Sequence, residues 1–516
     1  LREATGYTNA YTFRNTLQYT GEYAGKHYIS LFAGQEIQER TAYNSFNYSP
    51  VFDEEHRIVG FPEMDGIDGS EINYNASGGT RTSVSKMSSF FANASYSYLD
   101  KYILTGALRY DGSDIIGNYN QFTPLLNVGL RLNLHREEFM KRWMWVDQFA
   151  VRGGFGYTGS IDKNALPFVV MTLGQSVVYD GQTVPTSFSY PNPNVKWQTK
   201  QDMNVGLDLS LFDYRLELGV NYYHNITRDV LDRKALPYSS GRSEVTENVA
   251  DIYNSGWEID LGVTLLKNKS FQWYAKANIA INDNKVKNTY YKDTEDLPKA
   301  TLSNAHQFVE NQPVNGWYGY KFAGINPING AVMTYTGNGE ATLDMSVSGA
   351  TWPTPSVFYL GNLTPPVVGG FSTSANWKQL IFSANFEFKT GHKIKSFNTF
   401  RSLDARNRHT SEANRWREPG DITNVPAMSE AFTTYSSYMY DILLEKGNYL
   451  RCSYMTLGYN LKPEWLHKIG FSTARLSFTA KNLFTISSYS GIDPALMGSF
   501  GYPNSRKYTI TLNVGF

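Results

Sequence analysis

The stretch "DMNVGLDLSLFDYRLELGVNYYH", residues 202–224, decides the fold. Its first half alternates strictly. Met203, Val205, Leu207, Leu209 and Leu211 share one face, and Asn204, Gly206, Asp208 and Ser210 share the other. After a gap of about three residues the alternation resumes. Leu216, Leu218, Val220 and Tyr222 then oppose Glu217, Gly219, Asn221 and Tyr223. A period of two with one apolar face is the signature of a strand, and the gap is of hairpin length.

The pattern recurs. "GWEIDLGVTLL" sets Trp257, Ile259, Leu261, Val263 and Leu265 against Glu258, Asp260, Gly262 and Thr264. "LIFSANFEFK" sets Leu380, Phe382, Ala384, Phe386 and Phe388 against Ser383, Asn385, Glu387 and Lys389. The chain closes on "RKYTITLNVGF", with Tyr508, Ile510, Leu512, Val514 and Phe516 on one side. The polar faces carry glycine and charge, as a wet lumen would, whereas a soluble sandwich would bury both inner faces in apolar side chains. A terminal aromatic on the apolar face also fits the signal read by the barrel-assembly machinery of Gram-negative bacteria.

The connections keep a rhythm. "SYSYLDKYILTG", "LSLFDYRLEL" and "SANWKQLIFS" turn within two or three residues. Others are far longer, over Ile37–Lys86, Gly159–Gln198, Asn225–Asn254, Asp283–Pro366 and Gly391–Gly447. Structureless loops of that length do not belong in a compact domain. Short turns on one rim and long loops on the other are the pattern of an outer-membrane barrel. About fifteen strands are predicted, each of the ~9–11 residues a tilted span needs. They begin near Thr12, Tyr28, Ser88, Tyr102, Pro124, Phe149, Thr199, Arg215, Ser255, Phe271, Val367, Leu380, Tyr449, Arg475 and Arg506. With the last strand running to the periplasm, the long loops fall outside the cell. The connections His135–Gln148 and Leu461–Ala474 then fall in the periplasm. The count is odd, whereas bacterial single-chain barrels have an even number. Residues 1–516 are therefore expected to be one C-terminal portion of a transmembrane antiparallel β-barrel, all-β, that lacks its first strands and cannot close alone.

Composition agrees. Lys plus Arg is 47 and Asp plus Glu is 47, which argues against a nucleic-acid partner and says nothing against a membrane. Aromatic content is 15%, from 37 Tyr, 30 Phe and 10 Trp; rings of this kind suit interfaces, sugar-binding surfaces and membrane girdles. The one cysteine, Cys452, reads as a strand residue and allows neither an internal disulfide nor a Cys-based zinc site. No run of eighteen apolar residues predicts a transmembrane helix. The opening "LREATGYTNAYTF" does not read as a signal peptide.

Several stretches resemble one family. They include "YSYLDKYILTGALRYDGSD", "VRGGFGYTGS", "NPNVKWQTKQDMNVGLDLSLF", "RLELGVNYYHNITRDVL", "NSGWEIDLG" and "QPVNGWYGYKFAGI". "TPPVVGGFSTSANW", "SEANRWREPGD", "LEKGNYLRCSYMTLGYNL", "RLSFTAKNLFTISSYSGIDPAL" and "YPNSRKYTITLNVGF" follow. Together they resemble the C-terminal part of a SusC-type, RagA-like TonB-dependent transporter of the Bacteroidota. The resemblance implies a barrel of about 22 strands in the outer membrane. It also implies an N-terminal plug-containing fragment with a TonB box, and a SusD-like surface lipoprotein acting as a lid. TonB would drive the import of oligosaccharides or peptides, and two such transporter–lipoprotein pairs would associate as a dimer. No cofactor is implied. One departure stands out. Where the family often carries an acidic "DxNGDG"-like stretch, this chain has "NPINGAVMTYTGNGEATLDMSV", which speaks against a calcium loop. A passive porin or a surface adhesin is the alternative reading.

No catalytic motif is found: there is no HExxH, GxSxG or P-loop, and the eight histidines are scattered. "DGIDGSE", with Asp65, Asp68 and Glu71, is too short for an EF-hand and reads as a solvated acidic loop, so no metal site is assigned. In the two longest outer segments, Trp317, Tyr318, Tyr320, Trp352, Phe358 and Trp416 are candidate substrate or partner contacts, because flat rings stack on sugars. Packing of the loops against each other or the lid is the plainer role for any one of them. Arg401, Arg406, Arg408, Arg415 and Arg417 give one loop a basic character suited to carboxylate or phosphate. Glu217, Glu258, Asp260, Glu387 and Lys389 are expected to face the lumen and the plug, since charge facing lipid is costly.

Overall fold

The computed structural model describes residues 2–48, 78–114, 121–160, 171–179, 182–188, 196–235, 239, 244–290, 292–294, 308–343, 356–396, 413–427, 440–466, 470–497 and 501–516. Fifteen strands form one continuous antiparallel sheet in which each pairs with its neighbour in the chain. They are β1 (Arg2–Tyr23), β2 (His27–Tyr48), β3 (Gly78–Tyr98), β4 (Tyr102–Ser113) and β5 (Phe122–Asn133). Next come β6 (Val146–Ser160), β7 (Gln198–Leu211), β8 (Leu216–Ala235), β9 (Glu244–Lys267) and β10 (Phe271–Lys287). The last are β11 (Val367–Trp377), β12 (Leu380–Thr390), β13 (Tyr449–Asn460), β14 (Thr473–Ser487) and β15 (Lys507–Gly515). The sheet is open, with β1 and β15 at its edges.

The register aligns the apolar residues into rows that cross the sheet. Leu17, Ala33, Ala92, Leu108 and Leu126 form one row. Val151, Leu207, Val220, Ile259 and Ile279 form another. These residues belong to no inner core. Leu17 is 76% exposed and Ile510 is 75% exposed, which is tolerable only if hydrocarbon covers that face. Trp143, Trp145 and Phe212 stack in series at the short-turn end, where an interfacial girdle belongs.

At that end the turns are tight. Ala24–Gly25 and Leu99–Asp100 all have positive φ, which matches the twist of the strands they join. The Lys26 and Lys101 amides close these turns onto Tyr23 and Tyr98.

Two expectations need correction. The strands on the outer side run on past the membrane: β1, β3 and β9 start at Arg2, Gly78 and Glu244, each some ten residues before the start expected from alternation. Nor are the long connections structureless. Met171–Tyr179 pairs with Gln182–Phe188 inside one of them. The segment after β10 folds into its own small strands: Gly316–Gly319 with Phe358–Asn362, and Phe322–Ile325 with Val332–Tyr335 and Ala341–Leu343.

Candidate functional site

The inner face of the sheet carries a chain of charge across five strands. Arg131 of β5 donates to Asp208 of β7 at 3.0 Å, and Arg152 of β6 lies 3.5 Å from the other oxygen of the same carboxylate. Arg152 also reaches Asn221 of β8 at 3.4 Å, and Asn221 donates to Glu258 of β9 at 3.1 Å. Gly206 makes this reach possible, because a Cβ there would meet the Arg152 guanidinium at 2.7 Å. Every charged member is thus held by an opposite charge or an amide, so the wall carries polarity without a strong net field.

Glu217, Glu258, Asp260, Glu387 and Lys389 all sit on this polar face, as the alternation predicts. Glu217 and the Tyr274 hydroxyl both lie over Gly262, Glu258 joins the network above, and Glu387 lies 3.7 Å from Arg451. Arg131, Arg152 and Arg451 were not singled out from the sequence. Alternation gives their face, but their partners lie on other strands and emerge only with the register.

The loop aromatics take another role. Tyr318 and Tyr320 are fully buried in a cluster with Val309, Ile325, Val332, Val357 and Tyr440. Trp317 is buried against Leu360 and Leu444, and its indole N–H donates to the Lys393 carbonyl at 2.8 Å. These three are corrected from contact residues to core residues of an extracellular subdomain, since a ring with no open face cannot stack on a solute. Phe358 packs at the edge of the Trp317 cluster, with the Lys321 ammonium 4.3 Å above its ring. Trp416 is half-buried at the rim of the Tyr318 cluster and donates to the Pro327 carbonyl at 3.1 Å. Arg415 is half-buried beside it, bridged through its backbone to Val425. Arg417 turns back onto the Ala413 carbonyl. Trp352, Arg401, Arg406, Arg408, Asp65, Asp68 and Glu71 lie outside the described residues. Among the described residues no cluster of His, Cys, Asp and Glu has the arrangement to hold a metal ion.

Beside this subdomain, Lys393–Lys395 pairs with Leu444–Lys446. His392, just before the first of these strands, is 2% exposed and its Nδ1 has no hydrogen-bond partner among the described residues. Burial, and then the nearby Lys389, push its pKa below the ordinary histidine value. A depressed value in the folded state means that acid favours opening. The pairing is at full strength above about pH 6.5, the ordinary histidine value, and weakens as the pH falls through the lower folded value. Hydrogen exchange of the Lys393–Lys395 amides, corrected for intrinsic rate, should show less protection at pH 5 than at pH 7.5. His392→Phe should remove that difference, and equal loss in both proteins would refute the assignment.

Comparison with known proteins places the architecture. A family model described as "TonB dependent receptor-like, beta-barrel" matches residues 2–389. TonB-dependent receptor P3 of Formosa agariphila is 28% identical over 97% of this chain and 52% of its own length. TonB-dependent receptor SusC of Bacteroides thetaiotaomicron is 22% identical over 83% of this chain and 43% of its own. Among solved structures, the RagAB peptide importer in its open-open state superposes with a TM-score of 0.80. The identity is 25%, covering 100% of this chain and 55% of that one. The chain spans about half the length of the curated relatives it matches.

Proposed function

The chain belongs to the TonB-dependent receptor-like β-barrel family of the outer membrane, and from that premise we propose that it forms most of the wall of an energy-coupled importer. The importer takes up oligomeric nutrients, glycans or peptides, together with a SusD-like surface lipoprotein that covers its mouth. The observation that carries the reading is the two-faced sheet: hydrocarbon-compatible rows outside, a polar wall inside, and the longest connections all on one rim.

The sheet also supports a longer transporter. Fifteen antiparallel strands leave β1 and β15 running in the same direction, so pairing them directly would make a parallel seam. Open edges in hydrocarbon leave backbone groups unsatisfied. An odd number of further strands, supplied by the remainder of the transporter, closes the ring antiparallel throughout. A plug carried by that remainder would meet the inner charges Glu217, Asp260 and Lys389.

Uptake in cells carrying the full transporter tests the function. Deleting the partner lipoprotein is expected to abolish growth on the cognate oligomer, and collapsing the proton gradient is expected to stop uptake. Uptake that persists without the gradient would make the protein a passive pore; binding of a surface target without any uptake would make it an adhesin.

A further inference from the structure

Toward the extracellular rim the inner wall becomes rich in carboxamides. Asn204, Asn221, Asn225, Asn254, Asn282 and Tyr223 line a concavity of 630 Å³ on β6–β10, together with the charged Arg152, Lys200, Asp202 and Glu258. A second one, of 320 Å³, shares Asn254 and Asn282 and continues over Asn284, Asn315 and Asn362 to the base of the extracellular subdomain. The register makes this an array: Asn225, Asn254 and Asn284 stand in one cross-strand row, and Asn204, Tyr223, Gly256 and Asn282 in the next.

The array is partly self-bonded and partly open. Tyr223 lies across Gly256, where a Cβ would meet its hydroxyl at 2.5 Å, and donates to Asn282 Oδ1 at 2.8 Å. Asn284 donates to Asn254 Oδ1 at 2.6 Å. Among the described residues, the side-chain N–H groups of Asn254 and Asn282, and both ends of Asn204 and Asn225, have no such bond. The charges that line it are held as well: Lys200 pairs with Asp202, Arg152 with Asp208, and Glu258 accepts from Asn221, so two cations and two carboxylates leave the concavity without net charge.

Such a surface selects by hydrogen bonding rather than by charge. A carboxamide presents a donor and an acceptor side by side, and a sugar hydroxyl is itself both. Reading an extended peptide by strand addition needs a free edge, and β7, β8, β9 and β10 are paired on both sides, so that mode is closed here.

We propose that this asparagine-lined vestibule binds a neutral, hydroxyl-rich oligosaccharide on its way into the barrel. The proposal rests on the importer reading and narrows its substrate class.

The test uses the full-length transporter purified in detergent and titrated calorimetrically. The probes are neutral hexasaccharides of α-glucan, β-glucan, galactan and mannan type, and an uncharged hexapeptide blocked at both ends. At least one hexasaccharide is expected to bind. The variant N225A/N254A is expected to weaken it about ten-fold or more, as loss of two or more hydrogen bonds would, with the barrel still heat-modifiable on a gel. Should that variant fail to fold, the shape-preserving N225D is read by the same criterion. Binding of no hexasaccharide, binding unchanged by the variants, or variant-sensitive binding of the peptide would each overturn the proposal. Binding is measured without TonB or a proton gradient. Variant-sensitive glycan binding without any uptake would therefore strike only the importer reading. Energy-dependent uptake of peptides alone would strike only this one.

Discussion

Replacing Arg451 by methionine is expected to destabilise the connection between β14 and β15 by about 3–5 kcal/mol, the usual cost of leaving one member of a buried ion pair alone. Arg451 and Asp493 side chains are 5% and 8% exposed and bonded to each other. The same arginine donates to Thr485 at 3.1 Å, and the same aspartate caps the turn Pro494–Leu496 by accepting from the Ala495 amide at 2.9 Å. One contact therefore ties β13, the end of β14 and the outer connection together. Removing the arginine leaves a buried carboxylate whose remaining hydrogen-bond partner among the described residues is one backbone amide. Removing both, as Arg451→Met with Asp493→Leu, should recover most of the loss, because the desolvation cost disappears with the charges. The Asp493→Leu change alone should cost less than Arg451→Met, since Glu387 and Thr485 still face the guanidinium. Exchange protection of the amides around Ala495 reads all three. If the double variant loses as much as Arg451→Met, the pair is not what holds the connection.

That contact was not legible in the sequence, whereas the sheet it anchors was. Alternation works where one face meets hydrocarbon and the other meets water, because only there does physics demand a different residue at every second position. The fifteen strands were found for that reason, and their periplasmic ends fell close to the expected places. The outer starts of β1, β3 and β9 were missed for the same reason. Past the membrane both faces of β2 and β3 meet water, and the outer face of β2 carries Gln35 and Glu39, the latter 3.5 Å from Lys86 of β3. With polar residues on both faces, the period vanishes while the ladder continues. Trp317, Tyr318 and Tyr320 failed differently. Rings that pack a small subdomain and rings that stack on sugar have the same composition. Only the burial of Trp317, Tyr318 and Tyr320 separates the two roles. Arg451 and Asp493, 42 residues apart, gave no local signal at all.

The outer face itself can be tested by one matched pair of neighbours. Val128 and Asn127 are adjacent on β5, both exposed, and point to opposite faces. Val128 stands in a row with Gly106 and Phe155, flanked by Leu126 and Leu130, roughly midway along the apolar band. Asn127 stands in a row with Ala107 and Gly156 on the wet side. Val128→Arg places a guanidinium in hydrocarbon and is expected to cost about 2–4 kcal/mol, the range for a cation at the bilayer midplane. Asn127→Arg adds the same charge to a polar lumen, where water and the existing carboxylates solvate it, and is expected to cost under about 1 kcal/mol. Both variants of the full transporter would be refolded into phospholipid vesicles and titrated with urea. The introduced side chain is the same in the two, and strand propensity of the residues replaced accounts for at most about 1 kcal/mol, so a larger difference reports the medium each face meets. Equal costs, or a larger one at Asn127, would mean that the apolar rows do not face lipid.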